Sequence, residues 1–138
     1  MNASSSISPA FPNPALANAA ALVGRILLAV IFIKSGWGKI GGFESTSGYM
    51  ASKGLPMVQV LLVLTIAVEL GGGLLLAIGY KARWAALAIF LFLIPVTFIF
   101  HPYSDPAQVN AFMKNVAIMG GMLMVFAFGP GAYSVERR

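Results

Sequence analysis

The sequence contains no cysteine and very little charge, and both absences narrow what the protein can be. Without cysteine the chain has no disulfide bond, no CxxC redox pair, no thiolate metal site and no cysteine nucleophile. Lys, Arg, Asp and Glu together make up 9% of its 138 residues, whereas a soluble domain carries roughly 25%. So few charged side chains cannot cover a surface that faces water. The composition therefore excludes an ordinary soluble globule and a disordered chain, and it favours lipid as the solvent.

The chain also lacks the motifs that accompany several common chemistries. It has one histidine, His101, whereas a haem held between helices usually needs two axial ligands. A zinc site would need Asp105 and further ligands, and no ligand spacing indicates one, so no metal site is predicted. No GxGxxG, P-loop or GxSxG motif follows a strand-like segment. The net charge of +5 comes without a basic patch, so no nucleic-acid partner is expected.

Four apolar segments predict transmembrane helices. They cover about residues 15–33, 57–78, 84–100 and 111–128, and each approaches the roughly 20 residues that span a bilayer. The last segment reaches this length only when its helix begins near Ala111 and Lys114 extends toward the membrane surface. Strands are disfavoured because no alternation with a period of two is present. The predicted fold is an all-α membrane protein, a four-helix transmembrane bundle whose partner is the lipid bilayer.

The segments outside these helices set the predicted boundaries and topology. Residues 1–14 contain three prolines and no charged side chain, which predicts a flexible N-terminal tail rather than a secretory signal. The transmembrane domain then covers 15–135, and 136–138 form a short basic C-terminus. Lys81 and Arg83 lie in the shortest loop, where the preference of positive charge for the cytoplasm is most reliable. An even number of spans then predicts an N-in/C-in topology.

Two charged residues lie inside the predicted spans. Arg25 is about ten residues into the first span, and Glu69 is about ten residues before the end of the second. Because these helices run antiparallel, both residues are expected roughly 15 Å from the same membrane face. Each charge alone would cost about 2.5–3.5 kcal/mol there. We therefore predict an Arg25–Glu69 ion pair, which either fixes only the helix register or also lines a ligand cavity.

A second group of polar residues is expected toward the opposite membrane face. Lys39 follows the first span, His101 ends the third, and Lys114 and Asn115 open the fourth. As single residues, the lysines are equally explained by snorkelling to the interface and His101 by an interfacial position. Together they predict a cationic vestibule that suits an anion, or a quinone whose carbonyl oxygens accept hydrogen bonds. The candidate ligand-binding residues are thus Arg25, Lys39, Glu69, His101, Lys114 and Asn115.

Several of these residues lie in segments that resemble motifs of the DoxX family of small bacterial membrane proteins. Its opening motif resembles Gly24-Arg25-Ile26-Leu27-Leu28 with Ser35-Gly36 and Gly38-Lys39. Its second motif is similar to Glu69-Leu70-Gly71-Gly72-Gly73-Leu74 with Leu76-Ala77-Ile78-Gly79 and Arg83. Its remaining landmarks resemble Phe100-His101, Lys114-Asn115 and Gly129-Pro130-Gly131 with Ser134. The likeness runs in order through about residues 22–135.

The resemblance implies a four-helix membrane bundle in the bacterial cytoplasmic (inner) membrane. The family is named for a membrane subunit linked to thiosulfate:quinone oxidoreduction, and other relatives are associated with redox-stress complexes or biosynthetic clusters. The implied function is a membrane subunit of a redox system that binds a quinone or a small oxyanion between its helices. No intrinsic redox group is evident, so a redox partner protein or a bound cofactor such as the quinone would handle the electrons. Whether the chain is itself an enzyme is left open.

Two other functions are compatible with the same residues. A non-enzymatic anchor or scaffold would hold a partner protein at the membrane and use Arg25 and Glu69 only for structure. A small-anion permease would use the same two residues as a gate, although four helices are few for alternating access, so it would have to be an oligomer. Glycine-rich helix faces would also allow a homo-oligomer.

Overall fold

The described part of the chain, residues 13–136, is almost entirely helical in the computed structural model. Its α-helices are α1 (Pro14–Gly41), α2 (Phe43–Ser52), α3 (Val58–Ile66), α4 (Gly72–Ile78), α5 (Ala82–Phe100) and α6 (Val109–Phe128). A π-helical turn, Ala67–Gly71, joins α3 to α4, and a short 3-10 helix, Pro106–Gln108, precedes α6. Within these residues there is no strand. Residues 1–12 of the predicted tail and residues 137 and 138 of the predicted basic C-terminus lie outside the described residues.

Four helical segments are long and apolar enough to cross a membrane. They are Pro14–Gly41, Val58–Ile78, Ala82–Phe100 and Pro106–Phe128, which confirms the predicted four-helix membrane fold. Large apolar side chains cover the outside of the bundle, and Leu27, Trp37 and Phe128 are 69%, 70% and 72% exposed. A surface of this kind suits lipid rather than water. The N-in/C-in topology stays a prediction.

Helix α1 is longer than predicted. The Asn13 side chain accepts a hydrogen bond from the Ala15 amide, and Pro14 occupies the first turn, two features that favour a helix start. The apolar segment ends near Ile33, but the glycines that follow do not end the helix. Gly36 is instead buried against the next helix, and α1 continues to Gly41.

Glycines set how closely α1 approaches the second span. A Cβ atom on Gly36 would lie 2.8 Å from the Leu70 amide nitrogen, and one on Gly73 would lie 2.9 Å from Ile33 Cγ1. Small residues allow this approach in membrane helices. The two contacts also fix the antiparallel register of the pair. The apolar core lies alongside and includes Ala29, Phe32, Leu76, Ala86, Ile89 and Met122.

The chain beyond α6 folds back onto the turn between α4 and α5. We call residues 129–136 the C-terminal segment. The Val135 amide donates to the Ile78 carbonyl, and the Glu136 amide donates to the Gly79 carbonyl. The Glu136 carboxylate in turn accepts from the Ala82 amide at the start of α5. The C-terminal segment therefore ties the end of α6 to the α4–α5 turn.

Candidate functional site

A cavity of about 240 Å³ lies between the spanning helices and α2. Helix α1, the π-helical turn, α5 and α6 all contribute side chains to its wall, and α2 lies over part of it. Among the predicted site residues, Lys39, Glu69, His101, Lys114 and Asn115 line it. The structure thus brings together these five residues from four separate parts of the sequence.

The polar centre of the cavity is a network of Lys39, Ser35 and Glu69. The Lys39 ammonium lies 2.8 Å from Glu69 Oε1 and donates to Ser35 Oγ at 2.6 Å. The Ser35 hydroxyl in turn donates to the Glu69 carboxylate at 3.2 Å. Ser35 and Lys39 face the same side because they are one helical turn apart on α1. Glu69 thus lies in the middle of a membrane span and pairs with a lysine in the last turn of α1, and the Glu69 side chain is only 9% exposed.

Glu69 is presented by the π-helical turn rather than by regular α-helix. The turn occupies Ala67–Gly71, with α3 before it and α4 after it. A π-turn carries one more residue per turn than its helical neighbours, and such turns occur frequently at functional sites. The turn therefore changes the direction in which side chains point from one half of the span to the other. Glu69 faces the cavity at this transition.

The outer end of the cavity holds a second set of polar side chains. His101 follows the last residue of α5, and its Nδ1 lies 2.6 Å from Gln108 Oε1. Asn115 is buried and donates from Nδ2 to the Thr97 hydroxyl oxygen at 3.1 Å. Lys114 is exposed on α6, and the described residues offer it neither a hydrogen bond nor an ion pair. His101, Lys114 and Asn115 thus add hydrogen-bonding groups to the cavity that holds the Lys39–Glu69 pair.

The rest of the lining is apolar and aromatic. It includes Phe32, Phe92, Leu93, Val96 and Phe100. Tyr49 of α2 also lines the cavity, with its ring centroid 5.5 Å from that of Phe100. An apolar wall with a few convergent polar groups is the usual character of a small-molecule site.

The predicted Arg25–Glu69 ion pair is wrong. Arg25 donates to the carbonyl oxygens of Ala77 at 3.3 Å and Tyr133 at 2.9 Å, and also to that of Pro130. It lies at the other end of the bundle and does not line the cavity. Arg25 therefore lies apart from the other five candidate residues, and Lys39 is the cation that pairs with Glu69.

Helix register explains the error. The predicted pair assumed that α1 and α4 begin and end at the same depth. Arg25, the twelfth residue of α1, instead contacts Ala77, one residue before α4 ends. In the same register Glu69 is level with Ser35, ten residues further along α1, which is about 15 Å away along the axis. The two charges are thus too far apart to pair.

Sequence reasoning did not assign a site role to the lining residues Ser35 and Tyr49, or to Thr97, which bonds the lining residue Asn115. Ser35 bridges Lys39 and Glu69, and its position one turn before Lys39 was the available signal. The Thr97 hydroxyl oxygen accepts a hydrogen bond from Asn115. The sequence does not predict this pair, because the two residues meet only when α5 packs on α6. Tyr49 lies on α2, a helix that the apolar pattern does not reveal because it is not a membrane span.

The free donors and acceptors define what the cavity can bind. Lys39 has three N–H donors and uses two, so one remains. With Gln108 Oε1 facing the ring, His101 Nδ1 is the donor, and a neutral ring leaves Nε2 as an acceptor. The Lys114 ammonium adds further donors. The arrangement can therefore bind a ligand with carbonyl or hydroxyl oxygens, against apolar walls that suit a ring.

Four apolar spans around a cavity with a buried ion pair define a small integral membrane protein of the helix-bundle class. Within that class, the chain belongs to the DoxX family, whose sequence profile matches residues 20–102. It is 42% identical over 117 residues to the inner membrane protein YqjF of Escherichia coli, covering 84% of this chain and 88% of that protein. It is 35% identical over 124 residues to the inner membrane protein YphA of the same organism, covering 85% and 88%.

A more distant relative is a Surfeit locus protein 4 homologue of Schizosaccharomyces pombe. The identity is 28% over 126 residues, which cover 85% of this chain but 36% of that protein. No solved structure matches the chain significantly. The four apolar spans and the two Escherichia coli relatives identify an integral inner membrane protein.

Proposed function

We propose that this chain is an integral membrane subunit of a redox system and that it binds a quinone head group in the cavity. The observation that carries the proposal is the Lys39–Ser35–Glu69 network inside an apolar, partly aromatic cavity at membrane depth. A quinone ring would pack against the apolar wall. The spare Lys39 N–H and the Lys114 ammonium would donate to its carbonyl oxygens.

The charges favour a neutral ligand with polar oxygens over a small oxyanion. The Glu69 carboxylate lines the same cavity and already neutralises Lys39. An oxyanion would be attracted by Lys114 but repelled by Glu69 a short distance away. A quinone meets no such repulsion, because its carbonyl oxygens carry only partial charge.

The composition explains why the proposal assigns quinone binding to this chain and electron supply to a partner protein. The chain has no cysteine and one histidine, so it offers no thiolate cluster ligands and no pair of histidine ligands for a haem. Electrons would come from a redox partner protein, and this subunit would hold the quinone at a fixed position. Acceptor atoms such as His101 Nε2 would hydrogen-bond the hydroxyl groups of the reduced form.

The test measures quinone binding to the purified protein in lipid nanodiscs. Lys114→Ala is the main variant, because Lys114 lines the cavity and its removal leaves no carboxylate unpaired. A hydrogen bond from a charged donor contributes about 1.5–3 kcal/mol, so we expect the Kd to rise by about tenfold or more. Lys39→Ala should weaken binding as well, but it also leaves the Glu69 carboxylate without its cationic partner.

Lys34→Ala is the matched control. Lys34 is an exposed lysine on α1 that does not line the cavity, so its removal should leave the Kd unchanged. The proposal is overturned if extraction of the wild-type protein yields no quinone and titration shows no affinity. It is also overturned if Lys114→Ala, Lys39→Ala and Lys34→Ala all bind like the wild type.

A further inference from the structure

Helices α1 and α6 together form one side of the cavity. The two helices are close where Gly121 meets Leu28, and a Cβ atom on Gly121 would lie 3.0 Å from Leu28 Cδ2. Because the helices are antiparallel, Ile31 and Ile118 are both three residues from that contact, in the same direction. Both residues line the cavity. The cavity therefore begins about one helical turn beyond the closest approach of the two helices.

Side chains on both sides of this region line the cavity and are also at least partly exposed. Ile31 is 38% exposed, Lys114 is exposed, and Ile118 and Ser35 are half-buried. Ser35 and Lys114 lie seven residues from the Gly121–Leu28 contact, again in the same direction. We call Ile31, Ser35, Lys114 and Ile118 the α1–α6 portal. Residues that border a cavity and also contact the outside mark an opening.

We propose that the cavity opens sideways to the lipid through the α1–α6 portal, and that the ligand is a quinone whose isoprenoid tail lies in the portal. The inference rests on the proposed function and adds an entry route and a requirement for a tail. Ile31 and Ile118 give the portal an apolar side for the tail. Lys114 places a cation at its polar end, beside the head group.

The size of the cavity supports a ligand that is only partly enclosed. At about 240 Å³ it is smaller than the roughly 300–1,000 Å³ of sites that enclose a whole drug-sized molecule. A single-ring head group matches this volume, whereas a long tail has to lie outside it. The bilayer is the favourable place for that tail, since burying it in lipid removes apolar surface from water.

The experiment compares two probes in nanodiscs, a dimethoxy-methyl-benzoquinone without a tail and the same ring with a two-isoprene tail. Ile31→Trp and Ile118→Trp fill the portal. Leu27→Trp and Met113→Trp are the matched controls, because these residues are 69% and 52% exposed on the same two helices and do not line the cavity. Each variant is first compared with the wild type in elution profile and thermal unfolding.

We expect the portal variants to weaken binding of the tailed probe by about tenfold, since the tail loses its buried contacts. Binding of the tailless ring should change much less, and the control variants should change neither. Equal effects on both probes, or no effect on either, would overturn the portal while leaving the quinone site in place. If the wild-type protein binds neither probe, both the proposed function and the portal are overturned.

Discussion

Arg25 and Glu69 are charged residues inside membrane spans, and each is stabilised in a different way. Glu69 pairs with Lys39 at the wall of the cavity, while Arg25 donates to three backbone carbonyl groups at the other end of the bundle. A buried charge needs such partners because its isolation from water is costly. The two residues should therefore respond differently to mutation, the first through ligand binding and the second through stability.

Arg25→Met should lower the free energy of unfolding by about 3 kcal/mol or more, because hydrogen bonds from a charged donor contribute about 1.5–3 kcal/mol each. Arg25→Lys should recover only part of this loss, since an ammonium lacks the planar fork that reaches several acceptors. Denaturation in detergent micelles measures the effect. Quinone affinity of the folded variants should match that of the wild type, and a drop in affinity without a drop in stability would contradict this assignment.

At the residue scale the sequence predicted which polar residues lie near one another better than which of them form an ion pair. Five of the six candidate residues, all except Arg25, line one cavity, because an uncommon polar residue in an apolar span usually faces the bundle interior. The partner of Glu69 was not predictable from depth alone. It depends on where α1 begins relative to the end of α4, and that offset is set by the Gly36–Leu70 and Gly73–Ile33 contacts.

At the scale of helices, the glycines of α1 divide into those that pack and those that do not. A Cβ atom on Gly36 would meet Leu70, whereas one on Gly38 would meet no atom within 4 Å. The same substitution at these two positions therefore separates the packing role of a glycine from its low helix propensity.

Gly36→Ala should destabilise the protein by about 1–3 kcal/mol, because the nearest atom is backbone and the helices must move apart. Gly38→Ala should be neutral or stabilise it by up to about 1 kcal/mol, since alanine favours helix over glycine. Unfolding of both variants in detergent gives the comparison. Equal destabilisation by the two substitutions would argue against the close contact between α1 and the π-helical turn.

The number of spans was predictable at this scale, but their finer features were not. Long apolar runs bounded by glycine and proline predicted four membrane helices, and the structure has four. The π-helical turn at Glu69 and the short helix α2 were missed. Neither leaves a pattern in hydrophobicity, because the turn lies inside an apolar run and α2 is too short and polar to be a span.

For the molecule as a whole, the topology prediction depends on the positive charges near the turn between α4 and α5. Lys81 in this turn and Arg83 at the start of α5 predict that the turn faces the cytoplasm, together with both termini. Green fluorescent protein fused after Arg138 should therefore fluoresce, and alkaline phosphatase fused at the same place should be inactive. Lys81→Glu combined with Arg83→Glu should increase the inverted fraction. High phosphatase activity of the wild-type fusion would show that the C-terminus lies outside the cytoplasm, and it would contradict the predicted topology.

The bonds of Arg25 to the C-terminal segment also bear on the order of biosynthesis. Pro130 and Tyr133 follow Arg25 by 105 and 108 residues. Synthesis proceeds from the N-terminus, so Arg25 enters the bilayer before two of its three acceptors have been translated. The guanidinium can bond these two carbonyl oxygens only after Pro130 and Tyr133 have been synthesised. A nascent chain that stops short of Gly129 would lack two of these acceptors and would hold an incompletely bonded cation in the membrane, where an unpaired charge is costly.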